Sequence, residues 1–173
     1  MKTQKGFTLM ELLIVIALIA VIAIVSLFTL NPKGQADKAL DSQKKTNLSQ
    51  LKKILEDWYN DKNRYPLASE ICTDTFDVNN ACPICGTEST PEDFKPYLTT
   101  LPCDPKYPDT GYLYQVDNTD NPHWYRIYTN LSNTTDPEIT NVGCDKGCGP
   151  PPNYSYNYGV TSSNIDLEKR PNP

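Results

Sequence analysis

Two sets of residues in this 173-residue chain have types and spacings that could do chemistry: six cysteines and a scatter of carboxylates. Cys72, Cys82, Cys85, Cys103, Cys144 and Cys148 all lie beyond residue 70. The strings "CPIC" at 82–85 and "CDKGC" at 144–148 offer four thiolates for a tetrahedral metal, although the second has three intervening residues. Cysteines confined to one small segment favour disulfides in an oxidising compartment over zinc. A redox role for CPIC would need a thioredoxin-like βαβ pattern around it, and none is present. Asp117, Asp120, Asp136 and Glu138 are hard oxygen donors that suit calcium, the alternative being solvated turn residues. The single histidine, His123, has no paired base or nucleophile in the pattern, so a structural role is expected and no catalytic residue is assigned.

One further carboxylate is out of place. Glu11 sits in "FTLMELLIVIALIAVIAIVSLFTL", residues 7–30, a run of 24 residues with no other charge and no proline. About 20 apolar residues in helical form cross the hydrocarbon of a bilayer. A charge inside it costs on the order of 3 kcal/mol, so it is kept there for a function and with a partner.

The elements that must position these residues divide by charge. Residues 1–32 carry Lys2 and Lys5 against Glu11, residues 33–64 carry eight bases against five acids, and residues 65–173 carry six against fifteen, giving the net −5. An acidic C-terminal part repels phosphate backbones, so no nucleic-acid binding is expected of it alone. A cleaved secretory signal would have a shorter apolar region followed by a small-residue site. A plain one-span anchor fits the length, with Lys2 and Lys5 on the cytoplasmic side, but leaves Glu11 unexplained.

The segment "KGFTLMELLIVIALIAVIAIV" closely resembles the class III signal of type IV prepilins and the related pseudopilins. The resemblance implies that a membrane prepilin peptidase cuts after Gly6, that Phe7 becomes an N-methylated N-terminus, and that Glu11 stands at the family's acidic position. The new amine on Phe7 of a staggered neighbouring subunit would then be the partner of Glu11 in low dielectric. Before assembly, Glu11 lies about 6 Å along the helix from Phe7, where its own amine or water can solvate it.

Beyond the apolar run, Pro32 and Gly34 interrupt any helix, so a kink or melted stretch is expected at residues 28–34 of a helix running from 8 to about 61. Ala36, Leu40, Leu48, Leu51, Ile54, Leu55 and Trp58 form an apolar stripe on its second half. Asn63 supplies a left-handed cap and Pro66 a stop. Strands are expected in "GYLYQV" (111–116), "HWYRIYTNL" (123–131) and "YSYNYGV" (154–160), the first two as an antiparallel hairpin. The tail "NIDLEKRPNP" reads as disordered. "YLTTLPCDPKYPDTGYLYQV", with its Leu-Pro-x-Asp-Pro core, and "YRIYTNLSNTTDPE" resemble segments of major pseudopilins and small bacterial pilins. Cys103 stands where those proteins more often carry lysine, and their Gly-Asp-rich calcium loop is absent. Six cysteines permit many pairings; a local Cys144–Cys148 bond and one from the 72–85 loop to Cys103 are the expectations. Asn130-Leu-Ser and Asn133-Thr-Thr are formal glycosylation sequons.

These readings predict an α+β chain, pilin-like and disulfide-stabilised, with a long N-terminal helix on a small antiparallel sheet. Its parts are a cleaved leader (1–6), a transmembrane and filament-core helix (7–30), an amphipathic helix (31–64) and a β headpiece (65–173). The expected function is a filament subunit without catalysis or resident cofactor. It would sit in the inner membrane before assembly and in an extracellular filament afterwards, with like subunits, the prepilin peptidase, the assembly machinery and the bilayer as partners. A type II secretion pseudopilin and a membrane-tethered disulfide-rich binding domain are the alternatives.

Overall fold

The computed structural model describes residues 6–29, 31–74, 77, 79–86 and 94–171, in two compact units, Met1–Asp37 and Lys38–Pro173. The leader residues 1–5, with Lys2 and Lys5, lie outside the described residues.

In the first unit, helix α1 spans Leu9–Thr29. It contains the one stretch among the described residues that is long and apolar enough to cross a membrane, Leu9–Ser26, with a mean hydropathy of 3.0. The interruption expected at residues 28–34 falls at Asn31, which is non-helical between the end of α1 and the start of a second helix. Asn31 takes a left-handed φ of 39° and its Oδ1 accepts the Gly34 N–H at 3.2 Å, capping the start of α2, Pro32–Lys62. Pro32 is the first residue of α2, where no backbone N–H is required, so the interruption precedes the proline.

In the second unit, α2 buries Asp41, Lys44, Leu48, Leu51, Leu55 and Trp58, spaced by threes and fours along one face. Ala36 is exposed and Leu40 and Ile54 are half-buried, so the stripe is displaced from the expected one and begins with two charges. Asn63 takes the left-handed conformation that ends the helix, at φ 56°. A one-turn helix α3, Ala68–Ile71, leads to β1, Ala81–Ile84, followed by β2, Tyr112–Val116, and β3, Tyr125–Thr129. A short helix α4, Pro137–Asn141, precedes β4, Tyr158–Thr161. The sheet is an antiparallel meander in the order β1-β2-β3-β4, with Leu113 opposite Tyr128 and Ile127 opposite Val160.

One core joins the α2 stripe to Tyr112, Tyr114, Val116, Tyr125 and Ile127. Trp58 stacks on Phe94 at 4.6 Å, and Tyr65 meets Tyr125 edge-on at 4.7 Å. The opposite face of the sheet is covered too, since Tyr128 is fully buried and stacks on Tyr156. The C-terminal segment expected to be disordered supplies part of this cover through residue 170. Arg126 Nε donates to Asp166 O, Glu168 N donates to the Tyr128 hydroxyl, and Leu167 is buried. Three disulfides, Cys72–Cys82, Cys85–Cys103 and Cys144–Cys148, tie α3 to β1, β1 to the segment before β2, and the loop after α4 to itself. Each of the longer two adds about 2–4 kcal/mol by restricting the unfolded chain.

At the end of the α2 stripe the contacts are ionic. Lys44 and Asp104 are fully buried and 2.9 Å apart. Lys44 Nζ also donates to Asn130 O at 2.8 Å and to Thr110 Oγ1 at 3.3 Å, so all three of its protons are used. Asp104 accepts from Thr129 Oγ1 and from the backbone N–H of Lys106. One turn earlier, the Asp41 carboxylate accepts the backbone N–H groups of Ser132 and Asn133, each at 2.8 Å. These bonds fix the loop after β3 to the helix.

Removing one member of a buried ion pair leaves an uncompensated charge, so Lys44→Met is expected to destabilise the fold by about 3–5 kcal/mol. The double change Lys44→Met with Asp104→Leu recovers much of that loss, measured by urea denaturation of the full chain. Alkali provides a second test. Burial pushes the Tyr112 and Tyr128 phenols up to about 12, and those of Tyr65, Tyr114 and Tyr125 further still. Raised folded values favour the neutral phenol, so their stabilisation is intact below the unfolded value of about 10 and is lost as pH rises above it. Tyrosinate absorbance followed upward in pH should therefore show an exposed class ionising first and a buried class ionising with cooperative unfolding.

Candidate processing and assembly site

The junction predicted to be cut, Gly6–Phe7, lies in non-helical chain immediately before α1, and Phe7 is 87% exposed. The helix begins there for a local reason. Glu11 N donates to Thr8 Oγ1 at 3.2 Å, while the Glu11 carboxylate accepts from Thr8 N and Thr8 Oγ1, both at 3.0 Å. This reciprocal pair is a capping box, with Thr8 as cap and Glu11 three residues on. It places a carboxylate on the positive end of the helix dipole. In the uncut chain the Glu11 carboxylate is bonded by Thr8.

Behind this cap, every described side chain from Leu9 to Ser26 is exposed. The helix is apolar all round, with Leu, Ile, Val and Ala on every face and one inward-bonded polar group, Ser26 Oγ to Ile22 O. Such a helix is stable only in lipid or among other apolar helices. The geometry offers an accessible peptide bond for another protein to cut and a single carboxylate one turn inside the apolar segment.

The other candidate residues do not converge. Cys82 and Cys85 bond to different partners, and Cys144 bonds to Cys148, so the four-thiolate arrangement is not formed. The four calcium candidates are split between two places. Asp117 closes the β2–β3 turn by accepting His123 N at 2.9 Å and Trp124 N at 3.5 Å, with Asp120 in the same turn. Asp136 caps α4 after β3, accepting Glu138 N at 3.0 Å and pairing with Lys45 at 2.8 Å. The Lys45 bond, helped by that N–H and opposed by burial, holds the Asp136 carboxyl below its usual range. Among the described residues no three His, Cys, Asp or Glu side chains are grouped to hold a metal ion. His123 is exposed at the turn, with Nδ1 3.6 Å from Asp117. In the sequons, the Asn130 carbonyl accepts from Lys44 and the Asn133 side chain accepts from Thr135.

Residues 1–27 match the family model described as the prokaryotic N-terminal methylation motif. Comparison with curated proteins and with solved structures gives no match. The matched region spans the Gly6–Phe7 junction predicted to be cut, the capping box and most of α1. Residues 1–27 thus carry the prokaryotic N-terminal methylation motif, a class III signal consistent with a type IV prepilin or pseudopilin precursor, and overlap a helix long and apolar enough to cross a membrane.

Proposed function

We propose that this chain is a structural subunit of a type IV pilus-like filament and performs no catalysis of its own. The observation that carries this reading is the carboxylate of Glu11, which sits in the first turn of an apolar helix and, among the described residues, is bonded by Thr8. After cleavage of Gly6–Phe7 a positive amine is available on Phe7, and in a filament core the amine of a neighbouring copy replaces the dipoles of Thr8. Before assembly the precursor is held in the inner membrane by α1, and the disulfide-bonded headpiece is exported with it into the oxidising space outside.

A second reading, a major-type pseudopilin of a type II secretion system, is favoured by the segment Leu101-Pro102-Cys103-Asp104-Pro105. Its aspartate is the buried counter-ion of Lys44, so this string positions a core group. Six cysteines and the lack of a Gly-Asp-rich calcium loop favour the pilus. A tethered binding domain would keep its N-terminus uncut and form no filament.

Two results are expected. Intact mass from cells that also express a prepilin peptidase gives a chain beginning at methylated Phe7; an uncut chain beside a processed control would sink the filament reading. Glu11→Ala leaves membrane insertion and cleavage largely intact but abolishes or severely reduces filaments seen by electron microscopy. Thr8→Ala, which keeps the charge and loses about 1 kcal/mol of capping, has the smaller effect.

A further inference from the structure

The scarce bases of the headpiece are gathered at one place. Residues 65–173 hold six bases against fifteen acids. Three of the six, Lys146, Lys169 and Arg170, line an open cleft of about 330 Å³ beside the Cys144–Cys148 loop. Lys169 also borders a neighbouring cleft of about 290 Å³ with Lys52 of α2, against the outer edge of β4. Four bases thus face two acids, Asp145 and Asp166, on a chain of net −5.

Backbone geometry holds this strip in place. Lys169 bridges to Cys148, and Arg170 N donates to Gly147 O at 3.1 Å. Gly143 has φ 76°, and a Cβ there would lie 2.5 Å from Lys169 Nζ, so the ammonium rests against bare backbone. The ammonium groups of Lys52 and Lys169 have no partner among the described residues.

The opposite edge of the sheet has the opposite sign. Beside β1, Asp77 N donates to Ala81 O and Thr73 N donates to Pro83 O, which places Asp74 and Asp77 along that edge. Asn80 Nδ2 donates to Asp117 O at 3.2 Å, bringing the β2–β3 turn with Asp117 and Asp120 to the same side. Asp120 is exposed and its carboxylate makes no bond among the described residues. Because β1 and β4 are the two edges of the four-stranded order, one headpiece presents complementary charge at its two flanks.

We propose that the basic β4 edge of one copy docks on the acidic β1 edge of a second copy. Such a contact uses two different patches. When its rotation does not close, it propagates an open helix rather than a closed ring. Complementary rims set register and encounter more than raw affinity. The inference rests on the filament reading and adds the surface through which headpieces recognise each other.

The test compares the full, processed chain with two charge variants in the cells that assemble it. Lys169→Glu with Arg170→Glu should lower filament yield at least tenfold, and Asp120→Lys should lower it as well. All three changes in one chain should restore filaments, and that rescue also shows that the variants fold. Loss without rescue overturns the pairing, as does normal assembly of both variants. If normally assembled filaments of the first variant have lost binding to heparin, the cleft takes a polyanion instead. A wild-type chain that is cut at Gly6 yet forms no filament removes the filament reading itself, a result distinct from every variant outcome.

Discussion

The controlling constraint is an apolar helix that its own side chains cannot solvate. Helix α1 presents hydrocarbon on all faces, and at roughly 25 cal/mol per Å² its exposure to water would outweigh the stability of an ordinary small domain. It therefore exists in lipid or among like helices. Its one charge lies in the first turn, where the capping box lets Thr8 and Glu11 satisfy each other. Further along, Ser26 returns its hydroxyl proton to Ile22 O.

The second unit solves the reverse problem, since one amphipathic helix face and four short strands must hold a small fold together. Aromatic packing around Trp58 and Tyr125 supplies apolar area, and three disulfides restrict the unfolded chain. The Lys44–Asp104 pair adds geometric specificity in place of extra burial. Lys44 reaches the segment before β2 through Asp104 and Thr110, and the loop after β3 through Asn130. Slipping α2 by one residue would leave a buried charge unpaired, at a cost of several kcal/mol, whereas slipping an all-leucine stripe would cost far less.

The parts legible in the sequence were those with a period or a composition. The length and purity of residues 7–30 announce α1, and alternation in "YLYQV" and "YRIYT" gives the central hairpin. Strand β1, "ACPI", hid behind its cysteines and proline; Pro83 is tolerated because β1 is an edge strand and the proline is exposed. Asp41 and Lys44 fall outside the expected stripe, which is drawn from apolar residues alone. Continuing the 48, 51, 55, 58 spacing backwards places both on the buried face. The tail has almost no apolar content, and its order comes from backbone hydrogen bonds to Gly147, Gly149 and Arg126 that no composition reveals. The Thr-x-x-Glu spacing of the capping box was present in the sequence but obscured by the hydrophobic run around it.

On the filament reading, the two partners of Glu11 differ in the dielectric each can exploit. Thr8 offers two dipoles, worth about 1 kcal/mol as a cap, and their contribution changes little with the surroundings. A neighbour's amine is a full charge, and its attraction grows steeply as water and headgroups are excluded. Near the membrane interface the local cap competes well, and inside a filament core the amine dominates. The same carboxylate is thus neutral to solitary subunits and strongly favourable to packed ones. That difference lets a helix which must first sit in lipid as a single copy leave it only where another copy is waiting.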